Sequence, residues 1–322
     1  MLRIVSAIIG LLALLPVAAV HAQNYPQKPI RIIMPFPAGG ASDIISRAIG
    51  ERFNETHGQP FIVDNRPGAN QIVGATEALN AAPDGYTYFW ATNTLTSLNP
   101  FLFKQLAYDP DTSFEPVSLL YRTREFLIVN AELGVDTLEE FIELAKSKPN
   151  SINYGSFGNG TLGHLAGLAL GQIAGIELNH VPYKGMAQIM PDLLANRVQA
   201  VFTSTFSVVS QIEDGSVKVL ALSDDERSPN LPDVPTFKEK GIDLAMPAWL
   251  GLFAPKGTSA EQKAFMATEI SKIIQDPAFR EKYTDKQDLV PVGSTPEEMA
   301  AFVKADRARV EPFVKASGVT LD

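Results

Sequence analysis

Cysteine is absent from the chain. That excludes disulfides, thiolate metal sites, thiol nucleophiles and an amino-terminal lipid on cysteine, although a domain of ordinary size needs no disulfide staple. Histidine is nearly as scarce, with four in 322 residues. His164 and His180 have no clustered third ligand, so no metal site is expected. No cluster of Lys and Arg interrupts a net charge of −9. The electrostatic footprint of a nucleic-acid binder is therefore missing, and an anionic membrane surface is a poor partner. An anionic ligand must be held by local donors, because net charge will not attract it. After Val20 no apolar run is long enough to span a bilayer.

What is present begins with MLRIVSAIIGLLALLPVAAVHAQ. Arg3, the apolar run Ile4 to Val20 and the small-residue site Val20-His21-Ala22 form a signal peptide, residues 1–22, expected to be cleaved after about Ala22. Pro16 interrupts the run and argues against an uncleaved anchor. With hydrophobic residues at 45% and charged residues at 20%, the remainder reads as an exported globular protein of about two domains, with monomer as the default state.

Short apolar runs alternate with helix-like segments along this remainder. Ile30 to Phe36 reads as a strand and is followed by the turn Pro37-Ala38-Gly39-Gly40. Ser42 or Asp43 is expected to cap a helix that ends near Gly58. Strands at Phe61–Val63 and Tyr86–Ala91, with a helix at Gln71–Ala81, complete a β-α-β-α-β order that predicts an α/β domain with a mainly parallel sheet. Residues 116–130 read as extended, and a helix follows over Leu138–Ser147. A second set of α/β units runs from Ile152 to Leu222. Trp249–Pro255 is extended again, and the rest is helical. The boundaries expected are 23–123 for the first part of domain 1, 124–248 for domain 2, and 249–322 for the return to domain 1. Ligands of open α/β sheets bind at the carboxyl ends of strands. Two strand-to-helix loops, Phe36–Asp43 and Gly155–Thr161, are therefore expected to face one cleft.

Glycine in such loops lets backbone N–H groups approach an anion, reinforced by the helix amino end. Gly158-x-Gly160-x-x-Gly163 also spells a dinucleotide fingerprint. The next strand, however, ends His180-Val181-Pro182-Tyr183-Lys184, with no acidic residue for a ribose. Lys184 leaves an NADP-dependent oxidoreductase as an alternative, against which the export signal weighs. Ser156 nearly forms a nucleophile elbow, but Tyr154 stands where glycine is required. Gly167 and Gly171, on one side of the following helix, are assigned to packing against the sheet.

The blocks YPQKPIRIIMPFPAGGASD, DNRPGA, LNPFLFKQLAYDP, YGSFGNGTLGHLAG, HVPYKG, SPNLPDVPTF and WLGLFAPKGTS run through the whole mature chain. In this order after a signal peptide, they make the chain resemble the periplasmic substrate-binding proteins of tripartite tricarboxylate transporters, the Bug receptors. The resemblance implies a two-domain type II periplasmic binding-protein fold of α/β class, closing on a small carboxylate in an interdomain cleft. It implies no catalysis and no cofactor, and delivery of the ligand to the membrane subunits of a tripartite transporter. A signalling receptor using the same closure is the alternative. By the same resemblance, Phe36, Ala38, Gly39, Gly40 and Ala41 would grip one carboxylate, with Asp43 opening the helix. Asn93 and Thr94 match a second loop of domain 1. Ser156, Phe157, Asn159, Gly160 and Thr161 match the domain 2 loop, and Thr203 lies in another. Phe157 stands where relatives often have proline, and Thr203 where aspartate is frequent. Those two departures point to a non-amino carboxylate with an aromatic or hydrophobic body.

Overall fold

The computed structural model describes residues 25–246, 248–285 and 288–321. The segment 1–22, expected from the sequence to be a signal peptide, lies outside them. In chain order the elements are β1 (Ile30–Met34), α1 (Ala41–His57), β2 (Phe61–Asn65), α2 (Ile72–Leu79), β3 (Thr87–Thr92), a π-helical turn (Thr94–Leu98), α3 (Asn99–Leu102) and β4 (Phe114–Thr123). The second group is β5 (Phe126–Asn130), α4 (Leu138–Ser147), β6 (Asn153–Ser156), α5 (Leu162–Ala174), β7 (Asn179–Pro182), α6 (Met186–Leu194), β8 (Ala200–Thr203), α7 (Val209–Glu213) and β9 (Val217–Leu222). The chain then continues through β10 (Ala248–Pro255), α8 (Ala260–Gln275), α9 (Pro277–Tyr283), β11 (Leu289–Pro291) and α10 (Pro296–Ser317).

Two α/β domains result, each built on one sheet. The first has six strands in the order β11-β4-β10-β3-β1-β2, and the second five in the order β7-β6-β8-β5-β9. Both sheets are mixed, which corrects the expectation of a mainly parallel first sheet. β1 pairs in parallel with β2 and β3, but β10 runs antiparallel to β3 and β4, and β11 antiparallel to β4. The reason is connectivity. β10 re-enters the first sheet from the second domain and inserts between β3 and β4, from the opposite direction.

The apolar runs of β1, broken by Arg31, and of β5 from Phe126 to Val129 follow from burial on both faces. In β1, Ile30, Ile32 and Met34 pack on one side and Ile33 on the other. In β5, Phe126 and Ile128 face one core while Leu127 and Val129 face another. The extended stretch 116–130 is thus two strands in two sheets, and the chain crosses between domains at residues 124–125.

One helix joins the two cores. Met299 and Val303 of α10 pack in the first domain, while Val310 and Val314 join the second domain's core together with Leu98 and Leu102. The carboxyl-terminal segment, assigned to domain 1 from sequence, therefore contributes to both. Trp249 of β10 anchors it, donating its indole N–H to Asp306 at 2.8 Å.

Candidate functional site

The first loop joins β1 to α1. Gly40, in extended conformation, caps α1, and no side chain caps it. The expectation that Ser42 or Asp43 caps the helix is corrected here, because the glycine pair lets the helix begin at Ala41 and leaves Asp43 inside its first turn. From there the Asp43 carboxylate folds back on the loop. It accepts the Gly39 N–H at 3.0 Å, Arg47 Nε at 3.0 Å and Nη2 at 2.9 Å, and Asn65 Nδ2 at 3.0 Å. Burial pushes this carboxyl up, but the bonds from Arg47, Gly39 and Asn65 outweigh it and hold it below the usual carboxylate range. Asn65 also donates to Phe36 O at 2.9 Å. Asp43 thus fixes the loop's shape. Pro37 to Gly40 are exposed, and the first-turn amides of α1 have no intrahelical acceptor.

The second loop follows β3. Asn93 and Thr94 are buried, and the chain from Thr94 to Leu98 winds as a π-helical turn, a rare geometry frequent at functional sites. Asn93 Nδ2, Thr96 Oγ1, Ser97 Oγ and Asn99 Oδ1 are buried without a hydrogen-bond partner in the protein. Native interiors leave few such groups, so this concentration marks a place where a polar partner is needed. Thr94 instead turns its amide to Thr92 Oγ1 at 3.3 Å.

The third loop, between β6 and α5, is held from within. Ser156 is only 1% exposed. Its hydroxyl accepts the Gly158 N–H at 3.1 Å and lies 2.6 Å from His180 Nε2. Thr161 Oγ1 donates to Gly158 O at 2.8 Å, and the Gly160 N–H is donated to His164 Nδ1 at 2.9 Å. A side-chain carbon on Gly160 would lie 2.7 Å from Leu102 and from Leu321, so the space a pyrophosphate would need at this fingerprint is filled by protein. Ser156 is likewise too enclosed for a substrate to reach. Phe157 and Asn159 are exposed on this loop. Thr203 ends β8, buried opposite Phe126.

The structure brings the first and third loops close to one another's domains. Asn70, between β2 and α2, donates Nδ2 to Asn159 O at 2.8 Å. A side-chain carbon on Gly185, which follows β7, would lie 4.0 Å from Pro37. Asn65, Asn70 and His164 were not among the sequence-predicted site residues. Asn65 lies in the block DNRPGA and His164 in YGSFGNGTLGHLAG, but neither block marks these side chains as part of a site.

His164 and His180 stack with ring centroids 3.9 Å apart, beneath the third loop. Tyr154 of β6 packs against them, with its ring 5.1 Å from His180 and its OH donated to His164 O at 3.1 Å. Accepting the Gly160 N–H requires His164 Nδ1 to be unprotonated. Burial lowers the pKa of both rings, and that of His180, opposed further by His164, falls to about 4. Unfolded histidine titrates near 6.5. Between those values the unfolded chain takes up protons that the folded chain refuses, so the pair's contribution to stability falls as pH drops through the window and is level above it. Glu125, whose carboxyl is pushed by burial up to about 8, titrates over an overlapping range with the opposite sign, so the pair's share is read as the difference in melting temperature between the parent and His180→Gln from pH 7.5 to 4.5. The parent should lose stability relative to His180→Gln as pH falls through that range, and a constant difference would rule the pair out.

Comparison with known proteins adds to this geometry. The family model described as "Tripartite tricarboxylate transporter family receptor" matches residues 45–319. Among solved structures, the periplasmic binding protein BugD is 31% identical with a TM-score of 0.85, over 92% of this chain and 99% of that one. An R. palustris protein solved with adipate is 29% identical with a TM-score of 0.87, over 92% and 99%. MatC from Rhodopseudomonas palustris, with bound malate, is 29% identical with a TM-score of 0.82, over 90% and 100%.

Proposed function

The chain belongs to the tripartite tricarboxylate transporter receptor family, and from that premise we propose that it captures a small carboxylate between its two domains and delivers it to the membrane subunits of such a transporter. The carrying observation is the set of neutral donors at the strand ends of the first domain. The exposed Pro37–Gly40 turn opens into the first-turn amides of α1, and Asn93 Nδ2 is buried without a partner. An anion held by such donors needs no arginine or lysine. The adipate and malate bound by two relatives support this ligand class. Domain 2 is taken to span 124–248, closing on domain 1 about the crossing at residues 124–125 and the return of the chain into β10. A signal peptide over 1–22 would place the mature monomer in the periplasm.

Phe157 refines the ligand class. The residue is 42% exposed, next to Gly158 in the domain 2 loop, and no ammonium anchor stands at Thr203. A non-amino carboxylate with an apolar or aromatic body fits both features. Phe157→Ala should weaken an aromatic carboxylate about fivefold while leaving adipate within about twofold, since a lost aromatic contact is worth roughly 1 kcal/mol. Equal affinities of the parent and the variant for the aromatic carboxylate would remove the aromatic preference.

A thermal-shift screen of residues 23–322 against mono-, di-, tri- and aromatic carboxylates, amino acids and NADPH tests the whole reading. A selective binder raises the melting temperature with dose. Stabilisation by carboxylates is the expected result. Stabilisation by NADPH alone would overturn it.

A further inference from the structure

Three consecutive residues that are not glycine, Ala69, Asn70 and Gln71, adopt positive φ, at 43°, 48° and 70°. L-residues rarely take this conformation, and a run of three persists only where the surroundings over-determine it. The middle and last residues of the run are fixed to the first domain. Asn99 Nδ2 donates to Asn70 O at 2.9 Å. Gln71 is buried and brackets Thr92, with Nε2 donating to Thr92 Oγ1 at 2.5 Å and Oε1 accepting the Thr92 N–H at 3.2 Å. Thr92 is the last residue of β3, immediately before Asn93.

The consequence of this backbone is the direction of one side chain. Asn70 points out of the first domain and into the third loop, where its amide donates to Asn159 O at 2.8 Å. Its Nδ2 lies 3.2 Å from where a side-chain carbon of Gly160 would be, and its Oδ1 lies 3.9 Å from the same point on Gly158. We propose that Asn70 is a latch across the cleft. The left-handed run aims it, Gln71 and Asn99 brace it, and its bond to Asn159 holds the two domains together when no solute is bound. It is a positioning residue, because it ties the loop carrying Phe157 to the strand end carrying Asn93. Its effect on affinity rests on the solute-receptor reading, whereas the latch itself does not. Pre-closing the cleft raises apparent affinity by the fraction of molecules already competent, and one partly exposed hydrogen bond corresponds to about threefold to tenfold.

The chain's lack of cysteine allows clean double labelling for a distance measurement. Spin labels on Glu51→Cys in α1 and Lys146→Cys in α4, both exposed, report the separation of the domains by electron–electron dipolar spectroscopy without any ligand. Two further variants separate the latch from the fold. Asn70→Gly keeps the left-handed backbone and deletes the side chain. Asn70→Asp keeps size and left-handed tolerance but removes the donor and sets a carboxylate against the Asn159 carbonyl. Both variants should increase the ratio of long to short distances about threefold or more, and Asn70→Gly should melt within about 2 °C of the parent. Unchanged distances in both variants, or a fall in melting temperature without a distance change, would overturn the latch. So would a parent chain already wholly at the long distance. None of these results depends on a carboxylate binding, so a negative ligand screen and a negative latch remain distinguishable.

Discussion

Gly167→Ala should lower the melting temperature by about 4–10 °C, although alanine ordinarily stabilises a helix interior over glycine by roughly 1 kcal/mol. A side-chain carbon at this position of α5 would lie 2.2 Å from Tyr154 Cε2 and 2.4 Å from Cζ. Tyr154 is fully buried on β6 and cannot swing away without losing its bond to His164 O. Overpacking of this kind costs about 1–3 kcal/mol and more when a ring is trapped. For a protein of this size each kcal/mol shifts the midpoint by about 2–4 °C. Gly171→Ala provides the contrast, since its only close neighbour is the Ile176 carbonyl at 3.1 Å, and its melting temperature should change far less. Equal melting temperatures for Gly167→Ala and the parent would mean that the helix does not rest on Tyr154 as described.

Asn93→Leu should have opposite effects on stability and on binding. The ligand-free protein should melt no lower than the parent and up to about 3 °C higher, because a buried donor without a partner is replaced by an apolar group of similar volume. Carboxylate affinity should fall about tenfold to a hundredfold, the range for one hydrogen bond to a charged acceptor. Calorimetric titration with adipate or malate, whichever binds the parent, reads the second effect, and a thermal melt reads the first. Unaltered affinity would remove Asn93 from the site and leave its buried amide without a role.

Much of the fold is legible in local pattern. The run IRIIM announces a strand and residues 116–130 read as extended chain, and LEEFIELAKS after Thr137 is a helix with its cap. The packing role of Gly167 is legible too, since a glycine stripe has few other uses on a buried helix. What local pattern does not contain is the direction from which a distant strand returns. β10 is as apolar as β1, and nothing in WLGLFAP says that it runs antiparallel between β3 and β4. The apolar stripe of α10 likewise shows Met299, Val303, Val310 and Val314 on one side, but not that they enter two different cores.

The candidate site divides in the same way. The glycine-rich strand-to-helix turns can be recognised because the backbone conformations they need restrict the sequence. The roles of individual side chains within them cannot. Asp43 reads as a helix cap until Gly40 takes that place and turns it into a clasp. Gly160 reads as a free donor until His164, four residues on, accepts its N–H. Asn70 and Asn159 are 89 residues apart, and only the folded chain brings them within one hydrogen bond.

The most direct test of the account is a crystal structure of the protein with the carboxylate that binds it best. The account predicts one carboxylate group within hydrogen-bond distance of the amides of Ala38 to Ala41 and of Asn93 Nδ2, with no arginine or lysine side chain in contact with it. A carboxylate seated on Lys184, or bound outside the interdomain cleft, would contradict it.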